Sequence, residues 1–209
     1  MNIILEGISG CGKTTLINKL CKELKKRSIN FEKIEDLGYD TPLKSVLLKM
    51  VSINPLMKEE YLFKTSIYES LLLAANHHFV QEKLRDSDKI CIYDRDFISL
   101  LSYQKEIMKS EYENWEELFE IYKKLVLFEL KKVDYIVYLQ VPFKESIKRT
   151  EERDKRKFSK EDITMLKNIK RNIEIEIKNF DNGNNIIYLD GTENIQKNLM
   201  KILEKISEE

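Results

Sequence analysis

Short apolar runs alternate along the chain with segments whose apolar residues recur at helical spacing. The runs are rich in Ile, Val and Tyr, as buried strands are, and they lie at residues 2–6, 30–35, 89–94, 134–140 and 185–190. Helical periodicity marks residues 13–26, 61–84, 115–130, 163–177 and 195–206. This alternation predicts an α/β fold, a three-layer sandwich in which helices cover both faces of a parallel sheet.

The composition favours one folded domain over residues 1–209, because 42% of the residues are hydrophobic, 34% are charged, and no linker or repeat interrupts them. The 36 basic and 36 acidic residues cancel, so the overall charge predicts binding to neither nucleic acid nor a membrane. The sequence shows no apolar run long enough to span a bilayer and no basic leader, which indicates a cytoplasmic protein. Cys11, Cys21 and Cys91 lack metal-site spacing and are expected to be reduced thiols.

Glycine is scarce, yet three of the six glycines fall within six consecutive residues directly after the first predicted strand. Residues 7–14 match the phosphate-binding pattern G-x-x-x-x-G-K-[ST], and the next residues are helical by periodicity. Glycines let backbone N–H groups surround phosphate oxygens, while a lysine neutralises their charge and a hydroxyl reaches Mg²⁺. The expected nucleotide-binding residues are Gly7, Ser9, Gly10, Cys11, Gly12, Lys13, Thr14 and Thr15.

The third predicted strand ends in Asp94 and Arg95, which places a carboxylate and a guanidinium at the carboxyl edge of the sheet. The carboxylate is expected to hold Mg²⁺ together with the Thr14 hydroxyl, and the arginine to bridge phosphate groups. A structural ion pair at the end of a strand is the alternative interpretation.

Here the chain resembles the thymidylate kinase family. Residues 94–104 follow its pattern D-R-x-x-x-S-x-x-A-Y-Q in type and spacing, and residues 41–43, 71–77 and 138–142 are also similar. The resemblance implies a parallel sheet ordered 2-3-1-4-5, ATP with Mg²⁺ as the donor, a nucleoside monophosphate as the acceptor, and a homodimer. It further implies that Arg95 holds the acceptor phosphate and that Ser99 and Gln104 line the pocket around the base.

The segment 148–160 is dominated by lysine and arginine and contains one apolar residue, Phe158. Such composition is typical of a solvated surface segment. In the family, a cationic lid closes over the phosphates, so the resemblance implies this role for Arg149, Arg153 and Arg156. If the segment is helical, their spacing places these arginines on one face.

Three positions differ from the family. Ser9 stands where many members have an acid, Leu73 aligns with a phenylalanine that stacks on the base, and His77 aligns with an arginine that reads the thymine carbonyl. Leu73 and His77 are nevertheless expected to contact the substrate. The expected reaction converts thymidine monophosphate (dTMP) and ATP into dTDP and ADP.

Two other functions compete with a monophosphate kinase. Glu35 and Asp36 end the second predicted strand, where they could contact a sugar hydroxyl or, in a deoxynucleoside kinase, act as the general base on a 5′-hydroxyl. A nucleotide-binding switch without phosphate transfer is the third interpretation. Arg95 discriminates among them, because a monophosphate kinase needs a cation for the acceptor phosphate.

Overall fold

The computed structural model describes residues 1–35, 37, 39–53, 66–85, 87–181, 183 and 185–207. In this part of the chain, the strands are β1 (Asn2–Glu6), β2 (Phe31–Glu35), β3 (Ile90–Asp94), β4 (Tyr135–Gln140) and β5 (Ile186–Asp190). The helices are α1 (Lys13–Lys26), α2 (Lys44–Ile53), α3 (Ser66–Lys83), α4 (Phe97–Glu111), α5 (Trp115–Leu127), α6 (Phe143–Asp154), α7 (Lys160–Asn179) and α8 (Ile195–Ser207).

The five strands form one parallel sheet in the order β2-β3-β1-β4-β5, which confirms the order implied by the family resemblance. Asp94 at the end of β3 is in register with Leu5 of β1 and with Glu35 of β2. The carboxyl ends of these three strands therefore meet at one edge, directly beside the glycine-rich segment.

Two apolar cores sandwich the sheet. The side chains of Ile4, Tyr93 and Ile136 point to a core shared with α3, α4, α5 and α7. Ile3 and Val137 point to the opposite core, which α1 and α8 complete. Burial on both faces explains the nearly continuous apolar runs of β1, β3 and β4. The predicted three-layer sandwich is confirmed.

Every predicted strand and helical segment is present, with bounds that shift by a few residues; residues 61–65 of one predicted helix lie outside the described part. Periodicity did not predict α2, α4 and α6. Helix α4 buries polar side chains, among them Ser99, Ser102 and Gln104, and this obscures its apolar stripe. In the part of the chain that the structure describes, no helix combines the length and apolar character needed to cross a membrane.

Candidate active site

The glycine-rich loop connects β1 to α1 and curls around the Lys13 side chain. Lys13 Nζ donates hydrogen bonds to the carbonyl oxygens of Gly7 (2.7 Å) and Ile8 (3.3 Å), so the ammonium lies across the loop. Gly10 adopts a φ of +76°, a left-handed conformation that favours glycine. With the amino end of α1 behind it, this loop has the backbone shape and charge of a phosphate-binding site.

Thr14 and Asp94 meet at the edge of the sheet, as the sequence predicted for a magnesium site. Thr14 Oγ1 donates a hydrogen bond of 3.0 Å to Asp94 Oδ2. A hydroxyl and a carboxylate are hard oxygen donors, and Mg²⁺ bound with nucleotide phosphates needs few protein ligands. The two residues therefore fit that ion, although no cluster of three or more metal-ligating side chains occurs among the described residues.

Arg95 extends from the end of β3 toward the glycine-rich loop. Its Nη2 donates to Ser9 Oγ (3.2 Å), its Nη1 donates to Ser99 Oγ (3.1 Å), and its guanidinium carbon lies 5.4 Å from the centre of the Tyr103 ring. Its φ is +73°, which is uncommon for a residue with a side chain and often marks a functional site. The guanidinium is thus held beside the loop that would carry the donor phosphates.

The predicted lid is half helix and half connecting segment. Arg149 and Arg153 lie on α6, whereas Arg156 follows the end of that helix, where Lys155 adopts a left-handed φ of +49°. The expectation that all three arginines share a helical face is therefore wrong. Ser159 and Asp162 then form a capping box that begins α7 three residues before the predicted start.

The three arginines have different surroundings. Arg149 Nη1 donates to the Gly191 carbonyl (3.3 Å), and the Gly191 backbone packs against Cys11 of the glycine-rich loop. Arg153 hydrogen-bonds Asp154, which raises the pKa of the arginine, and it lies close enough to Arg95 for the two charges to repel. Arg156 Nη2 lies 3.8 Å from Asp162 Oδ2 on α7.

The residues assigned to the base are buried at the contact between α3 and α4. Leu73 and His77 lie on α3, and Ser99 and Gln104 on α4; each side chain is almost fully buried. Gln104 accepts a hydrogen bond from Ser70 of α3, and His77 Nδ1 pairs with Asp96 at 2.8 Å. Burial lowers the pKa of His77, whereas the charge and hydrogen bond of Asp96 oppose this effect, and the net shift raises the pKa above its ordinary value.

Glu35 lies at the exposed end of β2 and forms an ion pair with Lys33 at 2.9 Å. The hydrogen bond from Lys33 lowers the pKa of Glu35, which makes this carboxylate a weaker proton acceptor. Asp36, the other candidate at this position, lies outside the described residues.

Three residues near Arg95 escaped the predicted site. Glu6, the last residue of β1, is fully buried and hydrogen-bonds the segment that follows β3. Asp96 anchors His77, and Tyr103 lies beneath the Arg95 guanidinium. The sequence contained a signal for Glu6, because this acid ends a predicted buried strand and directly precedes the phosphate-binding loop. Burying a carboxylate there costs free energy unless hydrogen bonds or cations stabilise it, so such a residue is expected to have partners.

Comparison with known proteins identifies the family. The family model of thymidylate kinase matches residues 5–202, most of the chain. The chain belongs to the thymidylate kinase family. A probable thymidylate kinase of Methanobrevibacter smithii is 31% identical over 180 residues, covering 86% of this chain and 82% of the relative. One from Methanosphaera stadtmanae is 32% identical over 108 residues, which cover 50% of this chain and 53% of that protein.

A solved structure of deoxyadenosine kinase from M. mycoides with bound dATP has the same fold. It superposes with a TM-score of 0.67 at 19% identity, covering 99% of this chain and 100% of that chain. At this identity the likeness concerns the fold alone. Membership of the thymidylate kinase family identifies the protein as a phosphotransferase, a nucleoside monophosphate kinase.

Proposed function

We propose that the protein transfers the γ-phosphate of ATP to dTMP and forms dTDP and ADP. The observation that supports this most strongly is the position of Arg95, whose Nη2 lies 3.2 Å from Ser9 in the phosphate-binding loop. An arginine held there can contact a second phosphorylated substrate while the loop holds the first. Family membership and the two probable thymidylate kinases among its relatives support dTMP as the acceptor.

The loop residues bind the donor in this proposal. Gly7, Gly10 and Gly12 direct backbone N–H groups at the phosphates, and the Lys13 ammonium exchanges its backbone carbonyl partners for phosphate oxygens. Ser9, Cys11, Thr14 and Thr15 complete the loop and the first turn of α1. Thr14 and Asp94 would hold Mg²⁺, which supplies positive charge to the phosphates when it is bound.

The acceptor needs a cation and no general base, because a monophosphate oxygen is already anionic. Arg95 meets that need, and its contacts with Ser9 and Ser99 keep the guanidinium in place before the substrate arrives. A nucleoside kinase would instead need a carboxylate base, whereas Glu35 is engaged by Lys33.

The arginines of the segment 148–160 form a lid that neutralises the transferred phosphate and excludes water. Arg153 is the member best placed for the transferred group, because its electrostatic neighbours include Arg95 and Tyr103. Arg149, which lies on α6 and donates to the Gly191 carbonyl, is assigned to the donor nucleotide. Arg156 remains a predicted lid residue.

Recognition of the base is assigned to the contact between α3 and α4. Hydrogen bonds from Ser70 to Gln104 and between His77 and Asp96 join the two helices on either side of Leu73. Ser99, which donates to Glu6 and accepts from Arg95, acts on the phosphate side of this pocket.

We also propose that two copies associate through α3 and α5. Tyr68, Leu71 and Phe79 form an exposed apolar stripe on α3. Ile121 and Leu125 of α5 form another with Phe128, the residue that caps this helix. The two helices pack together, with His78 Nε2 donating to the Leu125 carbonyl at 2.8 Å. Exposed apolar side chains gathered on two adjacent helices are typical of a protein interface. The cytoplasmic location indicated by the sequence remains a prediction.

The role of Arg95 is tested by steady-state kinetics of Arg95→Ala with ATP and dTMP. Loss of the guanidinium should raise the KM for dTMP by about 100-fold and change the KM for ATP by less than about 3-fold. Arg171→Ala, at an exposed position on α7, is the matched control. Unchanged kinetics for Arg95→Ala would refute the assignment.

A further inference from the structure

Glu6 is a fully buried carboxylate for which the proposed phosphate transfer has no use. It ends β1 and directly precedes Gly7 of the phosphate-binding loop, and its side chain is 0% exposed. Burying a carboxylate is costly unless hydrogen bonds and nearby cations compensate it. Its contacts therefore indicate what the residue stabilises.

Three hydrogen bonds connect the Glu6 carboxylate to the start of α4. Glu6 Oε1 accepts from the backbone N–H groups of Asp96 (3.0 Å) and Ser99 (3.2 Å), and Oε2 accepts from the Ser99 hydroxyl (2.5 Å). Asp96 occupies the N-cap position of α4, yet its side chain makes no capping bond there and turns to His77 and Gln81. Glu6 thus caps α4 from a neighbouring strand, in place of the residue that would ordinarily do so.

The cap constrains the backbone of Arg95, the residue that immediately precedes Asp96. Arg95 adopts its left-handed φ of +73° between the last residue of β3 and Asp96, and such a conformation persists only where the surroundings enforce it. The Arg95 N–H donates to the Leu5 carbonyl (3.1 Å), and its guanidinium donates to the same Ser99 hydroxyl that Glu6 holds. Glu6 is therefore linked to the Arg95 backbone through the adjacent N–H group of Asp96, and to the Arg95 guanidinium through the Ser99 hydroxyl.

We propose that Glu6 is a positioning residue, which holds Arg95 in the geometry that binds the acceptor phosphate. This inference rests on the proposed function, because it takes Arg95 as the ligand of that phosphate. Glu6 acts through the α4 cap and through Ser99, and it contacts no substrate itself. The inference also gives Ser99 a role on the phosphate side of the site, beyond the contact with the base implied by the family.

The charges around Glu6 agree with this role. Burial raises its pKa to about 7, whereas the hydrogen bond from Ser99 and the positive charges of Arg95 and Lys13 oppose the rise. The carboxylate thus has two of the proposed phosphate-binding cations as its electrostatic partners. Its negative charge stabilises the positive charges of Arg95 and Lys13.

Two substitutions at Glu6 separate positioning from general stability. Glu6→Gln keeps an oxygen for the two backbone N–H groups, whereas Glu6→Leu keeps similar volume and no acceptor. Glu6→Leu should raise the KM for dTMP by about 10- to 100-fold and the KM for ATP by less than about 3-fold, while Glu6→Gln should stay within about 5-fold of the parent for both.

Glu176 provides the matched control, because its buried carboxylate on α7 pairs with Lys123 of α5 and accepts from Asn179, away from the hydrogen bonds that hold Arg95. Glu176→Leu should lower the free energy of unfolding and leave both KM values unchanged. Equal increases of both KM values in Glu6→Leu, or no change in either, would overturn the proposal.

Should Glu6→Leu not fold, a double-mutant cycle of Ser99→Ala and Glu6→Asp, whose shorter side chain withdraws the carboxylate from Ser99, gives the answer. Non-additive effects on the KM for dTMP are expected, because both residues act through one hydrogen-bond chain, and additive effects would refute it. The NMR signal of the Arg95 Nε–H group supplies a readout without turnover. A parent protein inactive on every monophosphate would refute the proposed function, whereas an Arg95 signal unmoved in both Glu6→Asp and Ser99→Ala would refute the positioning role.

Discussion

The contact between the phosphate-binding loop and α6 can be tested at a single glycine. Gly10 has a φ of +76°, and a Cβ added there would lie 2.4 Å from the Ser146 carbonyl oxygen and 2.6 Å from Thr150 Oγ1. The Ser146 carbonyl is part of the α6 backbone, and the Thr150 hydroxyl is held in place because it donates a hydrogen bond of 2.8 Å to this carbonyl. Neither atom can yield without moving the helix that begins the lid.

Gly10→Ala therefore combines two costs. The left-handed backbone costs a residue with a Cβ about 1–2 kcal/mol, and the overlap with α6 should add about 1–3 kcal/mol. Gly183→Ala is the matched control, because Gly183 also has a positive φ, of +95°. Apart from its chain neighbours, no atom of the described residues lies within 4 Å of the added Cβ. Its expected cost is the backbone strain alone.

Denaturant unfolding of the two variants should separate these contributions. Gly10→Ala is expected to lose about 2–5 kcal/mol of the free energy of unfolding and Gly183→Ala about 1–2 kcal/mol. Displacement of the loop from α6 should also raise the KM for ATP in Gly10→Ala by at least about 10-fold, with no change in Gly183→Ala. Equal stability losses in the two variants, with the KM for ATP unchanged in both, would refute the close contact between the loop and α6.

Three further predictions follow from buried charges and exposed apolar groups. The pKa of Glu6 rises from 4.5 to about 7 on folding, so its protonated form is favoured and its contribution to stability falls as pH increases between these values. The free energy of unfolding of Glu6→Gln, relative to that of the parent, should therefore increase by about 3 kcal/mol between acidic pH and pH 8. A difference that stays constant with pH would contradict the burial of a titrating carboxylate. The pKa of His77 is raised by Asp96, so this pair stabilises the fold below the ordinary histidine pKa of 6.5 and loses that effect as pH rises through the folded value. Asp96→Asn should remove this pH-dependent part of the unfolding free energy, and an unchanged pH profile would show that the pair contributes nothing. Ile121→Glu places a charge on the exposed stripe of α5 and should convert a dimer to monomers in sedimentation equilibrium; a monomeric parent protein would refute the proposed association.

The sequence predicted the sheet better than it predicted the helices around the site. The strands β1, β3 and β4 are largely buried and leave nearly continuous apolar runs. The edge strands β2 and β5 are more exposed, yet all five strands were found within a residue of their ends. Helix α4 was not predicted from periodicity because Ser99 and Gln104 are polar and yet buried, a state that depends on partners from β1 and α3. Helix α6 is so polar that composition alone could not distinguish it from a solvated loop.

The candidate site shows the same division. The glycine-rich pattern and the pair Asp94 and Arg95 were predictable, because their chemistry requires fixed residue types at fixed local spacing. Glu6 lies 90 positions before Asp96, so its capping bond depends on strand order and was invisible to local patterns. The face shared by the lid arginines was predicted wrongly because the left-handed Lys155 ends α6 before Arg156.

The central claim is that the acceptor is a nucleoside monophosphate. The most direct test measures ADP release from ATP and Mg²⁺ with dTMP, other deoxy- and ribonucleoside monophosphates and the corresponding nucleosides, using Lys13→Ala as the blank. We predict turnover with monophosphates, highest with dTMP, and none with nucleosides. Turnover with nucleosides alone would contradict the claim and assign the catalytic role to Glu35 or Asp36. No ADP release with any acceptor would also contradict it and would favour a nucleotide-binding module.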